Sequence, residues 1–274
     1  MKTKLITAIA AIGLAWGCNN SNNNSQPVLG DEEQVKTDPV VYSFVFVGCN
    51  RVQYGDQKDT TNSDPSKNAT NRSSANLAAL SRIYKEIAAE KNTPDLFFFL
   101  GDMVTAEEAD TVVLHKQLNA WVQQQNKPGY DYISKAGIEM VTVPGNHEML
   151  FYNTADSTEY PEKGATEIWM RYMKSFIPAN ADRVTGPDAN ANAATFSFVR
   201  KNIAFIVMNT DTYNDPLPGN KYGHEGLIPS TWINAKIKQY RADTAIDHIF
   251  VLGHKPYYVN NTADTSHGGL WKGP

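Results

Sequence analysis

Four short apolar runs in this chain stop at or next to a glycine, and each is followed at once by residues that can ligate, titrate or hydrogen-bond. VYSFVFV (41–47) runs into Gly48-Cys49-Asn50-Arg51, and Leu96–Leu100 into Gly101-Asp102. Ile138–Val143 runs into Pro144-Gly145-Asn146-His147-Glu148, and Ile249–Leu252 into Gly253-His254. Short runs rich in β-branched and aromatic residues, bounded by turn formers, read as buried strands. A glycine lets the backbone leave such a strand sharply, so the next side chain can point into a shared cleft. In open α/β sheets the carboxyl edge is where ligands bind. The fold must therefore gather four strand ends in one place.

The segments between these strands carry helical spacing. Ala75–Glu90 places Leu77, Leu80, Ile83, Tyr84 and Ile87 on one face, behind the capping-type Ser73 and Ser74. Val112–Gln125, Ala165–Phe176 and Pro229–Arg241 read as further helices. Thr195–Val199 and Ile203–Met208 read as a hairpin around Lys201-Asn202. Residues 50–74 are polar and turn-rich, a long loop of the kind that is often functional. The order implies a mixed α/β fold: a parallel βαβαβ start, then antiparallel pairs. No internal repeat and no second domain stands out.

Composition narrows the function. Of 274 residues, 25 are basic and 29 acidic, for a net charge of −4, and no basic stretch offers a nucleic-acid surface. The sequence contains no Gly-x-Ser-x-Gly nucleophile elbow and no glycine-rich phosphate loop, so a serine hydrolase and an ATP-driven enzyme find no support. Asp102, Asn146 and His254 offer a carboxylate, an amide oxygen and an imidazole, and His147 and Glu148 add one more imidazole and carboxylate. Mixed oxygen and nitrogen donors suit a borderline ion such as Zn, Mn or Fe. Two such ions about 3.5–4 Å apart would activate water and neutralise phosphate oxygens.

FFFLGD (97–102), VPGNHE (143–148) and VLGHKP (251–256), in this order, resemble the second, third and fourth motifs of the calcineurin-like metallophosphoesterases, which include the purple acid phosphatases. IVMNTD (206–211) and GLIPSTW (226–232) are similar to intervening segments of that family. The resemblance implies a mixed-sheet α/β/β/α sandwich over residues 41–274 and hydrolysis of phosphomonoesters or phosphodiesters by metal-activated water. It also implies two divalent or trivalent ions of Fe, Zn or Mn as cofactors. By resemblance Asp102 bridges the two ions, Asn146 and His254 ligate the second, and His147 acts on the phosphate or leaving group as proton donor or stabiliser. Histidine suits that task because its pKa lies close to neutrality.

The chain departs from the family pattern twice. Its first motif has Cys49 where the family has aspartate. Either the Cys49 thiolate ligates the metal, or the site is rebuilt with Asn50 or an acid such as Asp56 or Asp59, or Cys49 is an apolar filler. Arg51 is then a fixed cation for a phosphate oxygen. The second departure is that no Gly-His-x-His follows His254, so the sandwich is expected to be incomplete at its C-terminus. These departures keep open an alternative, a non-catalytic surface lipoprotein that reuses the fold for binding.

The N-terminus reads as an export signal. Lys2 and Lys4 precede an apolar run, Leu5–Trp16, too short to span a bilayer, and Gly17-Cys18 follows. The pattern resembles a bacterial lipoprotein signal over residues 1–17, with Cys18 carrying lipid, then a flexible tether over 18–40. The expected partners are a phosphoester substrate and, through the lipid anchor only, a membrane on the periplasmic or cell-surface side.

Overall fold

The computed structural model describes residues 42–51, 75–106, 109, 111–186, 189–190, 192–226 and 228–255, all within the unit Tyr42–Pro274. Residues 1–17, read above as a signal, Cys18, the expected tether over 18–40, Asp56 and Asp59 lie outside the described residues. Among the described residues no helix is long and apolar enough to cross a membrane.

The first sheet is parallel, β1 (Phe44–Val47), β2 (Leu96–Leu100) and β3 (Glu139–Val143), with β2 in the centre. Its crossovers contain α1 (Leu77–Ala88), then α2 (Thr111–Gln125) and the single turn α3 (Tyr132–Lys135). Asn76 caps α1 by accepting the Ala79 N–H at 3.1 Å, so the helix begins after the serines that sequence suggested. The turn α4 (Asn146–Met149) leads into an antiparallel hairpin, β4 (Leu150–Asn153) with β5 (Thr158–Pro161), and then α5 (Ala165–Met173) with a 3₁₀ turn (Lys174–Phe176). The second sheet has the order β11-β8-β7-β6. β6 (Asp182–Arg183), β7 (Phe196–Arg200) and β8 (Ile203–Met208) are antiparallel neighbours, whereas β11 (His248–Gly253) runs parallel to β8. A short pair, β9 (Tyr213–Asn214) and β10 (His224–Glu225), precedes α6 (Ser230–Ala242).

The pairs β4–β5 and β7–β8 are antiparallel, as the sequence suggested, and the last strand, β11, returns parallel to β8. A helical crossover through α6 carries the chain back to the start of the sheet, so the next strand must run the same way. This places the end of β11, with His254, at the same edge as the end of β8.

Side-chain alternation builds the layers. In β2, Phe98 faces the second sheet and meets Phe205 and Phe198, while Phe97 and Phe99 face outward against Tyr84 of α1 and Trp121 of α2. In β8, Ile203, Phe205 and Val207 join the core between the sheets, while Ala204 and Ile206 pack with Ile233 and Tyr240 of α6. The result is the α/β/β/α sandwich. Because both faces of β2 and β8 are covered, both strands are apolar without a polar face. Among the described residues β1 pairs only with β2 and β11 only with β8, and Phe46, Phe250 and Val251 stay exposed.

Phe205 is the hub between the sheets, with ring centroids 5.1–5.2 Å from Phe44, Phe98 and Phe198 and 5.8 Å from Phe250. Phe205→Ala is expected to cost about 3–5 kcal/mol of stability. Denaturant unfolding of the variant beside the parent measures it, and a loss below about 1 kcal/mol would refute this account of the core.

Candidate metal centre

The four strand ends meet at one edge. One ligand atom each of Cys49, Asp102 and His254 lies within 4.8 Å of the others. Asp102 is completely buried at the centre. Its Oδ2 accepts from Arg51 Nε at 3.4 Å and faces Cys49 Sγ at 3.6 Å. Its Oδ1 accepts the His147 backbone N–H at 3.2 Å and lies 3.2 Å from His254 Nε2. Asn146 Oδ1 lies 3.0 Å from the same Nε2. The structure thus brings together Cys49, Arg51, Asp102, Asn146, His147 and His254.

The backbone is shaped for this approach. A Cβ on Gly101 would fall 2.6 Å from Gly145 Cα and 2.7 Å from His254 Nδ1, and one on Gly145 would fall 2.3 Å from Asp102 Oδ1. Both positions therefore require glycine. Cys49 and Asp102 themselves have φ of 56° and 54°, a region that ordinary residues enter at a cost and that clusters at functional sites.

Glu148 corrects the sequence reading that offered it as a further acid for the site. Its Oε2 accepts the N–H groups of Gly145 at 2.7 Å and Asp102 at 3.0 Å, and its Oε1 accepts that of Val104 at 3.0 Å. Both oxygens thus serve the two loops. Asn50 is buried, and its side-chain Nδ2 donates to the Asn76 carbonyl at the start of α1. The contact of Glu148 with the Gly145 N–H is the half of a capping box in which the acid of the turn accepts the N–H of the residue before it.

Electrostatics follow from this packing. Burial raises the Asp102 carboxyl, but His254, His147 and Arg51 override it and hold the group well below the usual carboxylate range. Burial and then the Asp102 charge raise Glu148. Burial lowers His254, but the Asp102 carboxylate and the Leu100 carbonyl outweigh it and lift the imidazole to about 9. Cys49 is exposed as a residue, yet packing around its sulfur and the Asp102 charge push the thiol up to about 12. The charged His254 stabilises the metal-free fold fully below about pH 6.5, its ordinary value, and that contribution fades as pH rises through about 9.

The donor set fits a metal. His254 Nδ1 donates to the Leu100 carbonyl at 2.7 Å, which turns Nε2 onto two oxygen acceptors. Metal-binding histidines are oriented by this kind of bond. Without a cation, a proton on Nε2 must satisfy those oxygens. With one, nitrogen, oxygen and sulfur donors converge as a borderline ion requires. His147 differs. Its Nδ1 donates to the Thr105 carbonyl at 3.1 Å, and its Nε2 is 3.9 Å from Asp102 Oδ2.

The family model for calcineurin-like phosphoesterases matches residues 55–274. The chain belongs to this family. The match covers the motifs of Asp102, Asn146-His147 and His254, while β1 and Cys49-Asn50-Arg51 precede it and are tied to it by the parallel β1–β2 pairing, Val47 against Phe99. No curated protein matches the chain significantly. Membership carries the expectation of metal-dependent phosphoester hydrolysis. Among the described residues the other histidines are not in this cluster: His115 meets the Tyr172 hydroxyl on the outer helices, His224 is in β10, and His248 opens β11.

Metal entry must displace protons from His254 and, if sulfur ligates, from Cys49. Titration of Zn²⁺ into weakly buffered metal-free protein near about pH 7.5 is expected to release about two protons per protein molecule by the time the centre is filled, falling to about one in Cys49→Ser. Equal release by parent and variant would remove Cys49 from the ligand set.

Proposed function

We propose that this calcineurin-like phosphoesterase hydrolyses phosphomonoesters or phosphodiesters with two ions of Fe, Zn or Mn. The observation that carries the reading is the convergence of Cys49, Asp102 and His254 within 4.8 Å where both sheets end. When bound, such ions supply Lewis-acid polarisation of the phosphate and an activated water.

The residues have distinct tasks in this reading. Asp102, with one oxygen toward His254 and the other toward Cys49, is placed to bridge. Asn146 and His254 serve one ion, and Cys49 supplies a thiolate to the other where the family has a carboxylate. Arg51 reaches Asp102 Oδ2 from the side and can turn its guanidinium to a phosphate oxygen. His147 is anchored at its backbone N–H by Asp102 and at Nδ1 by Thr105, so Nε2 is the atom that holds the proton for the leaving group.

Two variants separate these roles. Asp102→Asn removes the charge shared by both ions and is expected to abolish metal binding together with hydrolysis of a generic phosphoester. His147→Ala is expected to keep its metal and lose about 10²–10⁴-fold in rate. Metal content measured beside turnover decides, and wild-type turnover in both variants would end the phosphoesterase reading.

We further propose that the protein is exported and held at a bacterial membrane by lipid on Cys18, on the strength of the signal-like residues 1–17. Mass spectrometry of the mature N-terminus is expected to find lipidated Cys18, and an unmodified terminus elsewhere would refute it.

A further inference from the structure

IVMNTD (206–211) is a conspicuous segment that the proposed chemistry leaves without a task. β8 and β11 are paired in parallel as far as Met208 opposite Gly253. Beyond that pair, one chain continues as Asn209-Thr210-Asp211 and the other as His254-Lys255. Asp211 has a fully buried side chain, and its carboxylate forms an ion pair with the Nζ of Lys255, itself mostly buried. The acid is fixed from its own side. Thr210 Oγ1 donates to Asp211 Oδ2 at 2.9 Å, the Asp211 N–H donates to Asn209 Oδ1 at 3.0 Å, and the Asn209 N–H donates to Thr195 Oγ1 at 3.0 Å.

The flanks of His254 are both seated on this cluster. A Cβ on Gly253 would fall 3.0 Å from Thr210 Cγ2, so Gly253 lies close against that side chain. The Lys255 N–H points at Thr210 Oγ1 at 3.4 Å. His254 stands between two anchored neighbours, and its Nε2 has to meet Asp102 and Asn146 on other strands. A buried ion pair gives little net stability over an apolar pair of the same size, and its best-attested use is to fix one geometry.

We propose that Asp211 is a positioning residue for His254: through Lys255 it pins the loop after β11 to the end of β8, and so sets the aim of the imidazole at the metal. This rests on the metal-centre reading above. It concerns a residue that touches neither metal nor substrate.

The test uses the full chain and Zn²⁺ alone. Three variants are compared with the parent: Asp211→Asn, the double variant Asp211→Asn with Lys255→Met, and the charge-keeping Lys255→Arg. Zn²⁺ affinity is read by chelator competition and Tm on the metal-free protein. The double variant, which strands no charge, is expected to keep its Tm and bind Zn²⁺ about 10–100-fold more weakly, the usual effect of losing a group that orients a ligand. Its Co²⁺ visible spectrum is expected to change. Lys255→Arg should bind like the parent. If Asp211→Asn alone does not fold, the double variant decides. A double variant with intact Tm and parental affinity overturns the proposal, as does a Lys255→Arg that loses as much as the double variant. Unfolding of the double variant also overturns it, because the pair would then hold the fold and not the aim of His254. A parent that takes up no Zn²⁺ overturns the metal-centre reading itself, an outcome distinct from all of these.

Discussion

The candidate centre is held together by one carboxylate that is bonded to the backbone of its loops. Glu148 gathers the N–H groups of Gly145, Asp102 and Val104, and so locks the loop after β2 to the loop after β3. Buried backbone donors without partners are costly, and here three are satisfied by one side chain. The same clamp sets a second buried carboxyl group beside Asp102. Two adjacent carboxylates in a dry site need positive charge, and His254 and Arg51 supply it until a metal does. The loop geometry and the demand for a cation therefore have a common origin.

The strands were legible in the sequence because burial on both faces leaves an unbroken apolar run, as in Leu96–Leu100 and Ile203–Met208. The strand-end motifs were legible for the related reason that glycine followed by a ligand type has few other uses when it recurs after strand upon strand. Other features were not. The hairpin of β4 and β5 is short and only partly buried, so its pattern is weak. The parallel return of β11 depends on where α6 crosses, which local pattern does not encode. Asn76 and the two serines before it are all good caps by type, and only the path of the chain selects among them. The purpose of Glu148 depends on contacts 44 and 46 residues away in sequence, which no local motif records.

Cys49 lies before the matched residues, in the segment that resembles the family's first motif. It occupies a left-handed backbone conformation, beside Asp102, at the strand end where the family places an aspartate. An apolar filler would be buried and away from charge, and this residue is neither. The sulfur is softer than oxygen and holds zinc at a longer distance, near about 2.3 Å. A centre that held its metal through Cys49, as proposed above, would favour zinc and iron over harder ions.

Among the described residues the outer edges of β1 and β11 are unpaired, which bears on how the protein behaves as a solute. The rings of Phe44 and Phe250 are 4.9 Å apart, so the two rims adjoin and form one corner. Edge strands in soluble proteins usually carry lysine, proline or a bulge that discourages pairing with another chain. FVFV (44–47) and IFV (249–251) carry none of these, and Phe46, Phe250 and Val251 stand open there. A net charge of −4 spread over the whole chain does little to guard so local a patch. Among the described residues, that corner is where pairing with a second chain would meet the least opposition, on the opposite flank of β1 and β11 from the strands they already pair with.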